Sequence, residues 1–136
     1  MIQTNTISLS EAKNIATTAE KIAIENQCTV AIAIINESGF LVYFNKMDGT
    51  TLAAVDIAIA KARHAALYNR DTDFHENLLK GGNQLVLSLP AAMPIEGGVR
   101  ILHEGKTVGA IGISGADSKV DGIIARAAVA TFEAIN

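Results

Sequence analysis

The chain has no tryptophan, and aromatic residues make up only 4% of its 136 positions. A core must therefore be assembled from alanine, isoleucine, valine and leucine. Platforms on which bases stack are scarce, which argues against single-stranded nucleic acid as a ligand. Cys28 is the single cysteine. It cannot close an internal disulfide, zinc-type spacing is missing, and no histidine stands near it to make a catalytic thiol. Positive charge is not in excess: the formal net charge is -3 and the pI about 5.5, so no basic face for nucleic acid is expected. No apolar run reaches the roughly 20 residues a membrane span needs. The first residues, Met1 to Thr6, lack the charged and apolar regions of a secretory leader. These absences together predict a cytoplasmic protein with neither nucleic acid nor membrane as partner.

What is present is a globular composition, 49% apolar and 18% charged, of a length that fits one domain over residues 1–136. Ser8-Leu-Ser-Glu11 is a capping box. It opens a helix expected over 9–26, with Leu9, Ala12, Ile15, Ala16, Ala19, Ile22 and Ala23 on one stripe. Thr29 to Ile35 is β-branched and apolar almost throughout, as in a central strand buried on both faces. Asn36 to Gly39 is a turn, and Phe40 to Phe44 a second strand. Thr50 or Thr51 is then expected to cap a helix over 51–69. On that helix Leu52, Val55, Ile59, Ala62 and Ala66 are expected to meet the sheet. Ile57, Lys61, His64 and Tyr68 form a second, mixed row, which reads as a subunit interface, a pocket wall or a solvated face.

Phe74 to Lys80 reads as a short helix stopped by Gly81-Gly82, and Leu85 to Leu89 as a strand or extended loop. Val99–His103 and Lys106–Ile113 pair around Glu104-Gly105. Ser118, with Asp121 three residues on, resembles the cap of a last helix. Val120, Ile123, Ile124, Ala127, Thr131 and Ala134 should line one face of it. The order predicts an α+β domain, a central antiparallel sheet of about five strands covered by helices.

Chemistry concentrates in two places. In the second helix, Asp56, Lys61 and Arg63 offer a charged cluster, or local solvated pairs. His64 offers a metal or haem-iron ligand, a general base, or an ordinary interface residue. In the loop Met93-Pro-Ile-Glu-Gly-Gly98, Glu96 stands beside Gly97 and Gly98, whose bare backbone lets a ligand or another chain segment approach closely. His75 and His103 fall in a loop-like segment and a hairpin turn, and histidines spread this widely make a weak metal signal. Gly109, Gly112 and Gly115 fit neither the Walker A nor the dinucleotide spacing; they read as a packing joint in preference to a helix start, with Ser114 and Ser118, that holds a carboxylate or phosphate on its backbone N–H groups.

Four blocks, Glu37 to Gly49, Asp56 to Arg63, Pro94 to Gly98 and Gly109 to Gly115, occur in an order that resembles the GlcG/HbpS family. That family includes the C-terminal domain of PduO-type proteins. The resemblance covers about residues 7–132. It implies a profilin-like fold, a homo-oligomer, a small-molecule ligand that in some members is haem, and a role accessory to glycolate, diol or glycerol metabolism. Haem-binding members use a histidine in the N-terminal helical region, whereas this chain has none before His64. The corrinoid adenosyltransferase half of PduO has no counterpart here. The expected function is a homo-oligomeric binding protein whose ligand contacts are Asp56, Lys61, Arg63, His64, Glu96, Gly97 and Gly98. The alternatives are an enzyme on a small carbonyl or hydroxy acid, with Glu96 or His64 as base, and an interaction subunit of a metabolic complex.

Overall fold

Alternation along one strand organises the protein, a computed structural model of which describes residues 1–135. Asn136, the last residue of the expected domain, lies outside the described residues. Strand β1 (Ala31–Asn36) is buried on both faces. Ile32 and Ile34 point into one apolar cluster; Ala31, Ala33 and Ile35 point into another. On either side lie β2 (Leu41–Lys46) and β4 (Lys106–Ser114), and β3 (Gly98–His103) pairs with the far edge of β4. The order is β2-β1-β4-β3, all antiparallel. Among the described residues the sheet has four strands rather than about five. Leu85 to Leu89 does not form the fifth: Gln84–Ser88 is a 3-10 turn, begun by the Asn83 side chain accepting from Leu85 N–H.

Helix α1 (Leu9–Glu25) forms as the capping box predicts. Ser8 Oγ accepts from Glu11 N–H at 3.1 Å, and the Glu11 carboxylate accepts from Ser8 N–H at 2.9 Å. It packs with α4 (Ser118–Ile135) on the isoleucine side of the sheet. Two details of α4 differ from the reading. Asp117, not Ser118, caps it, accepting from Lys119 N–H at 3.0 Å. Its buried face carries Asp121, Gly122, Ile124, Ala125, Ala128 and Val129, about one residue out of phase with the expected stripe.

Helix α2 (Ala53–Tyr68) covers the other side, and of the expected stripe Ala62 and Ala66 are buried there with Ile59 packed at the edge, whereas its first turn faces away. Leu52 is exposed and Val55 and Ile59 are half-buried, while Ala54, Ala58, Ala62 and Ala65 meet the sheet. Opposite them lie Ala31, Ala33 and Ala110. The reason is distance. A side chain at Gly112 would collide with the Ala58 carbonyl, so helix and sheet touch almost backbone to backbone and only small residues fit between. Neither threonine caps α2. The capping position is Leu52, without a side-chain bond, and Thr50 is buried against Gly115. Helix α3 (Thr72–Lys80) follows α2 and packs against both α2 and β3.

Candidate functional site

The close approach of α2 carries a lysine into the interior. Lys61 is 2% exposed, one turn beyond Ala58. Its ammonium donates to the Ile113 carbonyl at 2.9 Å and to Asp121 Oδ2 at 3.2 Å. Asp121 is equally buried, and its other oxygen accepts from Ala116 N–H at 3.0 Å. Burial is the larger influence on both groups. It pulls the Lys61 ammonium below its ordinary range and pushes the Asp121 carboxyl above its own, each partner opposing the other's shift. This ion pair joins α2, β4 and α4 through one side chain.

The glycines fit around it. Gly98 lies so close to the Lys61 carbonyl that a side chain there would collide with it. Its N–H donates to Thr72 Oγ1 at 2.9 Å, and the same hydroxyl donates back to the Gly98 carbonyl at 3.3 Å. Gly97 has a φ of 131°, and an added Cβ would stand 2.6 Å from the Ile113 carbonyl and 2.8 Å from Lys61 Nζ. At Gly97, space and backbone conformation both demand glycine. The pair therefore lets the loop close over the buried lysine.

Glu96, just before them, turns toward α4. Its carboxylate meets Arg126 of α4 at 2.9 Å and packs on Gly122, while its N–H donates to Glu76 at 3.2 Å. Glu76 in turn pairs with Lys80 at 3.5 Å. Arg126 keeps 44% of its side chain exposed. Ile95 and Ile123, neighbours of this pair in sequence, are 39% and 52% exposed.

His64 is fully buried beside the same loop. Met93 N–H donates to its Nδ1 at 2.7 Å, so that nitrogen is bare. The ring proton therefore sits on Nε2, which faces His75 Nδ1 at 3.0 Å and donates to it. Burial, helped by neighbouring His75, lowers the His64 pKa to about 4. Tyr68 stacks obliquely on His64 with ring centres 5.0 Å apart, and its hydroxyl donates to the Pro90 carbonyl.

Of the candidates read from the sequence, Lys61, His64, Glu96, Gly97 and Gly98 gather around the Met93–Gly98 loop. Asp56 and Arg63 do not join them. Asp56 is exposed in the first turn of α2. The exposed Arg63 donates to the Gly39 carbonyl at 3.2 Å, bracing the β1–β2 turn. Asp121, Thr72, His75 and Arg126 belong to the arrangement but were not among the candidates. Asp121 carried a signal, an acid on an apolar helix, which resembled capping instead.

As a metal or haem-iron ligand, His64 is spent: its bare nitrogen accepts a peptide N–H and the other donates to His75. Among the described residues no group of three or more histidine, cysteine or acidic side chains is placed to hold a metal. A separate cavity of about 310 Å³ lies between the N-terminal arm and α4, lined by Asn5, Thr6, Ile7, Glu11, His103, Val108 and Phe132. It includes none of the candidate residues. Among the described residues no helix is long and apolar enough to cross a membrane.

The model of the HbpS-like family, described as haem degrading protein HbpS-like, matches residues 7–130. The chain belongs to that family. This HbpS-like chain is similar to Protein GlcG of Escherichia coli K12, with 32% identity over 108 residues, 79% of this chain and 81% of that one. Its fold is that of the Klebsiella pneumoniae protein ORFY, at a TM-score of 0.94 and 24% identity over 100% of this chain and 97% of that one. It also matches PduOC, crystallised as a haem complex, at a TM-score of 0.84 and 22% identity over 92% and 94% of the two chains. The expected α+β, profilin-like family fold is thus the fold observed.

Proposed function

We propose that this HbpS-like chain is a homo-oligomeric binding protein whose ligand site forms where the Pro94–Gly98 loop and the start of α4 meet a second copy. The observation that carries the reading is the Glu96–Arg126 pair. It joins a largely covered carboxylate to a half-exposed guanidinium, near exposed Ile95 and Ile123 and above a floor of Lys61, Asp121 and two glycines. Exposed apolar side chains rimmed by charge mark contact surfaces. Arg126 is suited to a carboxylate on the ligand, because its planar fork matches that group bidentately.

The ligand is a small metabolite or a planar cofactor of the kind present in the PduOC complex. Haem does not fit through His64, whose ring nitrogens are both engaged, and α1 holds no histidine. The geometry therefore favours a small carboxylate-bearing metabolite, in keeping with a role accessory to glycolate, diol or glycerol metabolism. The test is a calorimetric titration of the purified protein at pH 7.5 with glycolate and with haemin, repeated on Arg126→Ala. Glycolate binding that weakens at least tenfold in the variant is expected. Haemin binding with an axial-histidine Soret band would overturn the preference, and binding unaffected by Arg126→Ala would remove the site.

A further inference from the structure

The Met93–Gly98 loop is tied at its first residue by a chain of two imidazoles whose protons have only one workable arrangement. Met93 N–H is a donor, so His64 Nδ1 must be bare. His64 Nε2–H is then a donor, so His75 Nδ1 must be bare as well. A proton added to His64 Nδ1 sets N–H against the Met93 N–H. A proton added to His75 Nδ1 sets N–H against His64 Nε2–H. His64 can relieve that second conflict only by moving its own proton to Nδ1, which again expels Met93. Both routes end at the same broken bond.

We propose that the His64–His75 pair is an acid-released clamp on the Met93–Gly98 loop, closed when both rings are neutral and opened when either takes a proton. This rests on the reading that the loop belongs to the ligand site, and it names how that site is regulated. The groups around the pair leave it in control. On α2, Lys61 lies one turn before His64 with its charge on Asp121, and Tyr68 lies one turn after, bonded to Pro90. On α3, Asp71 is turned to Arg100, and Glu76 to Glu96 N–H and Lys80. In the loop, Glu96 is paired with Arg126. His75 is the neighbouring titratable group whose charge bears on His64, and it opposes a second proton. The low pKa of His64, about 4, agrees with a clamp that stays shut at neutral pH. Tyr68 holds the Pro90 carbonyl and the pair holds Met93 N–H, so release begins at Met93.

The test is hydrogen exchange of the ligand-free protein between pH 4 and 7.5, corrected for the intrinsic pH dependence of exchange. The Met93 amide should lose at least about tenfold in protection as pH falls, the cost of one hydrogen bond to a buried group, while β1 stays protected. His64→Asn keeps an acceptor near the Nδ1 position and cannot titrate, so its Met93 protection should be flat with pH. Imidazole ¹⁵N shifts of the wild type supply a reading that needs no variant. They should show His64 bare at Nδ1 at pH 7 and protonated there in step with the loss of Met93 protection. Wild-type protection that does not change with pH, or midpoints of the two events more than about one pH unit apart, would overturn the clamp. Because no ligand is present, this result stands or falls apart from the binding titration.

Discussion

Replacing Lys61 by methionine is the sharpest perturbation of the floor beneath the proposed site. The ammonium disappears, while Asp121 remains about 1% exposed with one oxygen on Ala116 N–H and the other without its partner. Removing one member of a buried pair costs about 3–5 kcal/mol, because an uncompensated charge stays behind. For 136 residues the unfolding entropy is about 0.3 kcal/mol per degree, so the melting temperature should fall by about 10–17 °C. Asp121→Asn should cost a comparable amount by stranding the ammonium. The double variant Lys61→Met, Asp121→Leu should be far less harmful than the sum, and within about 2 kcal/mol of wild type. Burial already works against both charges, so the pair itself contributes little net stability. Urea unfolding followed by circular dichroism at a fixed protein concentration measures all four corners of this cycle. Single variants within about 1 kcal/mol of wild type, or a double variant as poor as the sum, would refute the reasoning.

Gly112→Ala should destabilise by about 3 kcal/mol or more, because the new methyl meets the Ala58 carbonyl and α2 must lift from the sheet; thermal denaturation reads the loss. Thr72→Val should cost about 1–3 kcal/mol by leaving Gly98 N–H and C=O buried without their shared partner. The same melt shows it, and Thr72→Ser should recover most of the loss. His64 has a folded pKa of about 4, below its unfolded value of about 6.5. The stability this provides is complete above pH 6.5 and is lost as pH falls toward 4, by about 3 kcal/mol in all. Wild type should therefore show that slope in urea unfolding, and His64→Asn should lack most of it.

What was legible in the sequence was whatever local chemistry decides. The Ser8–Glu11 capping box and the Asn36–Gly39 turn need no distant partner to be recognised, and both formed; the strand expected over Thr29–Ile35 formed as Ala31–Asn36, buried on both faces. The four blocks behind the family resemblance likewise survive as sequence. The face of α2 was legible only in its second half, at Ala62 and Ala66, because that helix carries a bulky stripe and an alanine stripe. Hydropathy prefers the bulky one, whereas contact between Gly112 and the Ala58 carbonyl admits only the small one. Turning the helix that way also buries Lys61 and His64, which by composition belonged on a wetter face. Asp121 was missed for the same reason: a buried acid is tolerated only because a lysine 60 residues away reaches it. Asp56 and Arg63 looked like companions of Lys61 by spacing, but the rotation that buries the lysine leaves both of them in solvent.

As proposed above, the loop ending in Glu96-Gly97-Gly98, with Ile123 and Arg126, forms a surface between copies that completes a ligand site. Sedimentation velocity of the wild type and of Ile123→Asp tests it most directly. Ile123 is 52% exposed in the single chain, so the variant should fold with unchanged circular dichroism. The wild type should sediment as an oligomer, and Ile123→Asp should shift toward monomer with loss of ligand binding. A wild-type monomer at tens of micromolar, or an oligomer indifferent to Ile123→Asp, would contradict the account.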